Sequence, residues 1–367
     1  MEIFFIISSI LYLLIHLILY SGLLRSINLK KNENKILPAI SVIVAGRNEE
    51  KNIVRCINSL AKLKYPPDLL EIILVNDNST DSTYDLMLNS TKEHKQFKVI
   101  NSVKSSNGNL KGKANAIDNA ISICKGELII STDADCEVNP DWALNTVKYY
   151  LGNTGMVCGF TIIENDSSIF AKLQCIDWVY LLTLASSSAG LKMILSCIGN
   201  NLSFSKNAYN SVGGYSSIEF SVTEDLALMR KINSDKKFII LFPVDKSCLV
   251  TTLPCKSLSE LFSQKRRWFR GGTGINFLGY IVGALLFAMN ILLVLGLFFL
   301  SIKLYLALVL LKLISEFILL HKVFREFEIQ SYYKYYFIFS FYFAFVGLML
   351  PISFLSGKEI NWKGRKF

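Results

Sequence analysis

Histidine is scarce in this chain, three residues in 367, and none stands at metal-ligand spacing from the eight cysteines. Those cysteines (Cys56, Cys124, Cys136, Cys158, Cys175, Cys197, Cys248 and Cys255) include no CxxC pair. The usual ligand sets for structural zinc are therefore missing. Scattered thiols of this kind read as small buried hydrophobes, kept reduced on the cytosolic side. The sequence has no internal repeat and no low-complexity tract. It also lacks a clustered basic stripe or any recognised nucleic-acid motif, so nucleic acid is not an expected partner. Net charge is nevertheless +10, from 39 Lys+Arg against 29 Asp+Glu. That excess suits an anionic membrane surface or a phosphate-bearing substrate.

What the chain has in abundance is apolar sequence, 51% of all residues. Residues 3–24 carry no Asp, Glu, Lys or Arg and are long enough to cross a bilayer. Glu2 stands where a leader would be basic, and no small-residue cleavage site follows. Residues 1–25 are therefore read as a retained anchor. Arg25, Lys30, Lys31 and Lys35 mark a basic linker over 26–39. By the positive-inside rule they put the N-terminus outside and the next domain in the cytosol.

Residues 40–255 alternate strand with helix. Strands are expected at 40–45, 71–75, 97–100 and 127–131, with a helix over 49–63. Buried apolar strands separated by helices predict an α/β fold on a parallel or mixed sheet, with ligands beyond the strands' carboxyl ends. Residues 256–274 hold an amphipathic interfacial helix, expected over 258–269 and bearing QKRRW. Residues 275–356 form a C-terminal membrane region with apolar runs at 276–300, 303–320 and 337–356. A basic tail follows at 357–367. One anchor plus three later spans leaves the C-terminus outside, whereas Lys358, Lys363, Arg365 and Lys366 argue for inside. A re-entrant or interfacial path for 337–356, which contains Gly347 and Pro351, reconciles the two. Lys312 and Glu316 lie four apart inside this region. They read as a mutually neutralising pair or as a contact for an acceptor headgroup.

Four short signatures recur in order. Asp77 closes the second strand, where a carboxylate can accept from a base or ribose or form an Asx turn capping the next helix. Asp133 and Asp135 follow the fourth strand. Carboxylates two apart on a turn can aim at one Mg²⁺ or Mn²⁺ that keeps positions open for phosphates, and a solvated turn is the ordinary alternative. Glu224 and Asp225 precede an expected helix over 226–232, as helix caps or as a base that takes a hydroxyl proton. In QKRRW, Arg267 offers a bidentate guanidinium and Trp268 a flat face for a sugar ring, unless the helix is simply interfacial. Lys113 can place a cation near a nucleotide. Arg47 and Glu49 flank Asn48 at an expected helix start suited to anions.

Taken together, ISVIVAGRNEE, LVNDNSTDST, KGKANAID, STDADC, GNNLSFS with VGGY, TED and QKRRW run from residue 41 to 268. On these stretches the chain resembles the family 2 glycosyltransferases. Within them it is similar to the membrane-bound branch of cellulose, hyaluronan, chitin-oligosaccharide and poly-N-acetylglucosamine synthases. The resemblance implies a GT-A domain, a Rossmann-like mixed sheet that binds a nucleotide sugar, with transmembrane helices at both ends. It implies that Asp77 and Lys113 contact a uridine donor, with Arg47 and Glu49 in the donor site. Asp133 and Asp135 would hold the diphosphate through Mg or Mn. Asp225, beside Glu224, would be the base of a single inverting displacement. Gln264, Arg267 and Trp268 would close over diphosphate and acceptor, and Gly199, Asn200 and Asn201 would lie near the acceptor.

The chain departs from the processive members of that branch. One span before the domain and about three after it, with no gating-loop sequence after QKRRW, leave little material for a polysaccharide channel. The expected activity is the addition of one or a few sugars to a membrane-associated lipid or glycan acceptor, by a multi-pass protein of the cell membrane. A processive synthase subunit with a partner protein for export, a non-catalytic nucleotide-sugar sensor and a nucleotidyltransferase are the alternatives.

Overall fold

Four parallel strands end level with one another, and this row organises the molecule. The computed structural model describes residues 2–33, 36–272, 277–353, 361–362 and 365–366. In chain order its elements are α1 (Glu2–Ile27), β1 (Ile40–Gly46), α2 (Ile53–Leu60), β2 (Leu70–Asn76), α3 (Thr83–Thr91), β3 (Phe97–Asn101) and α4 (Gly112–Ile123). Then come β4 (Leu128–Asp133), β5 (Glu137–Val138), α5 (Trp142–Val147), β6 (Thr154–Cys158), β7 (Thr161–Ile163) and α6 (Ile169–Gly190). They are followed by β8 (Leu202–Ser205), α7 (Lys206–Ser211), α8 (Glu224–Asp235), β9 (Ile239–Leu241) and β10 (Val250–Thr252). Last are α9 (Leu258–Gly272), α10 (Phe277–Phe299), α11 (Ile302–Glu326) and α12 (Tyr336–Ser353).

The main sheet runs β3-β2-β1-β4-β8-β6-β9. Register pairs Gly46 with Asn76, Asn76 with Asn101, and Ala45 with Asp133. β8 is antiparallel to both β4 and β6, so the sheet is mixed, as the sequence pattern predicts. A small second sheet, β5-β10-β7, lies beyond the end of β4. Alternation along the strands divides the core. Val42, Val44, Ile72 and Leu74 pack with α2, α3 and α5, whereas Ile43, Ile73 and Val75 pack with α4, α6 and α8. The second cluster does not stop at the domain edge. It continues through Leu19 and Leu23 of α1 into Leu319, Phe324 and Phe339 of α11 and α12.

Several expectations change here. Residues 49–52 form a turn and α2 starts only at Ile53, so Arg47 and Glu49 do not stand at a helix N-terminus. α3 starts at Thr83, and the Asx turn before it belongs to Asp81 rather than Asp77, Asp81 Oδ1 accepting from the Thr83 N–H at 3.0 Å. α8 begins at Glu224 itself. The stretch 40–255 also contains α6, a helix long and apolar enough to cross a membrane. Unlike the other three candidates, at residues 2–27, 279–299 and 330–353, most of it (72%) is buried within the protein. Its apolar surface faces α1, α11 and α12 rather than lipid, which is why a loose helical pattern could not separate it from the soluble core. α12 runs unbroken through Gly347 with Pro351 inside its last turn, so no re-entrant reversal occurs over 336–353. Residues 354–356 of that expected run, and Lys358 and Lys363 of the tail, lie outside the described residues. Lys312 and Glu316 form the buried pair that the sequence allowed, 2.7 Å apart. All eight cysteines are free, and seven are buried.

Candidate active site

Because β1, β2 and β4 end in register, the residues just past them meet over one edge of the sheet. Two of them, Asn48 and Asn78, adopt left-handed backbone (φ 53° each) and turn the chain back sharply. These turns are laced together. The Asn48 N–H donates to Ser79 Oγ at 3.1 Å, and the Thr80 N–H donates to Asn48 Oδ1 at 2.8 Å. Arg47 donates to the carbonyls of Asp77 (2.9 Å) and Asn78 (2.7 Å). Glu49 is buried, its N–H on Thr83 Oγ1 and its carboxylate on Asn52. Arg47 and Glu49 therefore shape the loops that carry Asp77. Asp77 itself is buried and accepts from Ser102 at the end of β3, 3.1 Å away.

Asp133 ends β4 and Asp135 follows two residues on, after Ala134. Arg55 of α2 fixes this turn by donating to the Asp135 carbonyl at 2.9 Å while pairing with Glu164 at 2.8 Å. Lys113, at the start of α4, reaches across to Asp133 in a very short ion pair, and to Glu224 at 3.2 Å. Unlike an ordinary helix-start lysine in solvent, Lys113 has a side chain only 14% exposed. Burial alone would push its ammonium down, yet Asp133 and Glu224 overrule that and hold it well above the ordinary lysine value. Asp225 follows Glu224, and its Oδ1 accepts from the Leu226 N–H at 2.8 Å. Burial, and then the Glu224 charge, push the Asp225 carboxyl from 3.8 up to about 6, against the pull of Lys113 and Arg267.

The residues expected near the acceptor, Gly199, Asn200 and Asn201, divide. A Cβ on Gly199 would lie 3.0 Å from Asp225 Oδ2, so this backbone forms the wall next to the carboxylate. Asn200 and Asn201 turn inward instead. Asn200 Oδ1 accepts from Thr161 Oγ1 at 2.7 Å. Asn201 donates to the carbonyls of Phe160 (2.6 Å) and Cys248 (2.8 Å) and accepts from Trp142 Nε1 at 3.0 Å. Their side chains tie the β6–β8 region together, leaving only their backbone near the site.

α9 lies across this opening. Gly271 packs so closely on Thr223 that a Cβ would run into that hydroxyl. Arg230 of α8 donates to the carbonyls of Gly271 (3.4 Å) and Gly272 (3.1 Å), capping the carboxyl end of α9. This docking carries Arg267 near enough to Asp225 to oppose its protonation. Gln264 Oε1 is buried and finds no hydrogen-bond partner among the described residues, a vacancy a bound polar group would fill. Trp268 sits edge-on against Trp178 of α6, ring centroids 5.1 Å apart. Sequence reasoning missed Arg55, Ser102, Gly271 and Arg230. Each is a common residue type, and only tertiary proximity singles it out.

Residues 41–225 match the family described as Glycosyl transferase family 2. Poly-beta-1,6-N-acetyl-D-glucosamine synthase of Staphylococcus epidermidis is 28% identical over 74% of this chain and 63% of its own length. Beta-monoglucosyldiacylglycerol synthase of a Nostoc species is 30% identical over 64% of this chain and 49% of its own. The chain thus spans between about half and under two thirds of the length of these curated relatives. A mannosyltransferase from Pyrobaculum calidifontis, solved in complex with GDP-Man and Mn²⁺, superposes with TM-score 0.64 at 15% identity, covering 96% of this chain and 99% of that one. The mixed sheet and its flanking helices are the GT-A fold that the resemblance implies. With the family matched over half its length and its signatures gathered at one sheet edge, this chain belongs to the family 2 glycosyltransferases.

Proposed function

We propose that the protein is an inverting, membrane-bound glycosyltransferase. It moves a hexose or N-acetylhexosamine from a UDP donor to a hydroxyl of a membrane-associated lipid or glycan. The observation that carries this reading is the meeting of Asp133, Lys113, Glu224 and Asp225 beneath α9. Asp77 and Ser102 lie where β2 and β3 end, suited to hold the base and ribose. Asp225, flanked by Gly199, takes the proton of the attacking hydroxyl. Its carboxyl, raised to about 6, is ionised at neutral pH yet basic enough to accept that proton. Gln264 and Arg267 grip the diphosphate from above.

Among the described residues, no group of three or more His, Cys, Asp or Glu is placed to hold a metal. Two carboxylates with substrate phosphates completing the shell is nonetheless an ordinary Mg²⁺ or Mn²⁺ arrangement, and Asp133 and Asp135 fit it. A divalent cation held there would neutralise charge developing on the departing UDP. Lys113 already supplies positive charge to Asp133, so it shares that duty. Arg25 in the last turn of α1, with Lys30 and Lys31 just beyond it, supports a cytosolic catalytic domain.

The test is a panel of UDP-sugars offered to the purified protein with lipid acceptors, with and without Mg²⁺ or Mn²⁺. UDP release and product mass are the readouts. The expected result is UDP release that needs both acceptor and divalent cation, with a product heavier by one or a few sugars. Long uniform polymer would favour the processive reading, in keeping with the staphylococcal relative. No turnover of any nucleotide sugar would favour a sensor.

A further inference from the structure

α9 presents two stripes, one to the catalytic pocket and one to the buried helix α6. Gln264, Arg267 and Gly271 share the first, at spacings of three and four. Leu261, Lys265 and Trp268 share the second, Leu261 packing with Phe170 of α6 and Tyr342 of α12. Two consecutive residues of α6 grip this second stripe. Asp177 Oδ2 lies 2.5 Å from Lys265 Nζ, with side-chain exposures of 1% and 7%. Trp178 meets Trp268, and the Lys265 ammonium stands 5.1 Å from the centre of the Trp268 ring. Tyr342 of α12 donates to the same Asp177 oxygen at 3.4 Å. The other oxygen, Oδ1, is buried and has no hydrogen-bond partner among the described residues.

An ion pair this dry is a poor source of net stability, because desolvation consumes most of the attraction. What it supplies is geometry. Adjacent residues on a helix point about 100° apart, so anchoring Lys265 dictates where Gln264 and Arg267 aim. We propose that Asp177 is a positioning residue: its buried bond to Lys265 sets the rotation of α9 and so holds Gln264 and Arg267 over the donor diphosphate. This rests on the transferase reading above. It also links the pocket to the membrane helices, because Tyr180, one turn along α6, is bonded to His16 of α1 at 2.9 Å.

The test measures UDP affinity by calorimetry, and KM and kcat for the UDP-sugar, on the full-length protein in detergent. Asp177→Asn, Asp177→Glu and the pair Asp177→Leu with Lys265→Met are compared with wild type. The pair leaves no buried charge uncompensated, so it folds even if Asp177→Asn does not. We expect Asp177→Asn and the pair to weaken UDP binding and raise donor KM about tenfold, and Asp177→Glu to recover most of both. A merely structural role would lower the active fraction and hence apparent kcat, leaving KM and UDP affinity untouched. That outcome, or wild-type constants in the pair, would overturn the proposal. Should wild type bind UDP but turn over no donor, the transferase reading fails, and the UDP affinity ratio still decides the role of Asp177.

Discussion

Two lysines in this molecule are each held by acidic partners, and they do opposite jobs. Lys312 of α11 pairs with Glu316 at 2.7 Å, with side-chain exposures of 2% and 0%. Ser340 of α12 accepts from the ammonium at 3.1 Å, and Tyr12 of α1 donates to the carboxylate at 2.7 Å. Charge balances one to one and the surroundings are closed. Lys113 instead answers to Asp133, Glu224 and Asp225 together. Asp133 keeps a third of its side chain exposed (34%). Negative charge is in excess and the site is open. A balanced, sealed pair fixes three helices, α1, α11 and α12, in register. An unbalanced, open one is suited, on the function proposed above, to a ligand that brings positive charge and phosphate. The contrast separates structural from functional ionic groups better than burial or motif alone.

The sharpest way to break the contrast is at the open cluster. Asp225→Asn removes the proposed proton acceptor without removing shape. Transfer should fall by about 10²–10⁴-fold while UDP binding persists, read by UDP release and calorimetry. Near-normal transfer would strike Asp225 from its role. At the closed pair the reverse pattern is expected. Lys312→Met strands the Glu316 carboxylate and should destabilise the fold by about 3–5 kcal/mol, seen as a lower Tm. Adding Glu316→Leu should restore most of that loss, and both proteins should transfer sugar normally per folded molecule. If Lys312→Met abolishes transfer at unchanged Tm, the pair is functional and the contrast collapses.

The smallest effect concerns pH. With Asp225 raised to about 6, transfer should decline below that value by about tenfold per pH unit, because the protonated carboxyl cannot accept a proton. The sign for stability is opposite. The folded protein binds this proton more tightly than the unfolded chain, so the contribution of Asp225 is fully present below pH 3.8 and is lost as pH rises through about 6. A pH–rate profile whose acid limb lies near 4 would show Asp225 to be unperturbed.

Much of this was legible in the sequence, and the reasons are local. Continuous apolar strands such as ILVND and IISTD announce buried parallel β-structure and place Asp77 and Asp133 at its ends without any coordinates. The order of TED and QKRRW likewise announces the site. What could not be read was tertiary. Asn200 and Asn201 occur in a motif beside the pocket, yet their amides are spent bonding Thr161, Phe160, Cys248 and Trp142. Nothing in their neighbours along the chain shows which way they turn. The capping chemistry of RNEE predicts a helix start at Arg47 to Glu49, but the αL turn at Asn48 delays the helix to Ile53. α6 reads as part of the soluble domain because its residues are apolar nearly all round, which suits burial among helices as well as lipid.

On the function proposed above, a divalent cation and a diphosphate together close the negative charge of the pocket. The most direct test is Mn²⁺ binding, followed by electron paramagnetic resonance of the free ion, in wild type and Asp135→Asn, with and without UDP. We predict one Mn²⁺ bound by wild type only when UDP is present, and lost in Asp135→Asn. Equal binding by both proteins, or binding indifferent to UDP, would contradict it.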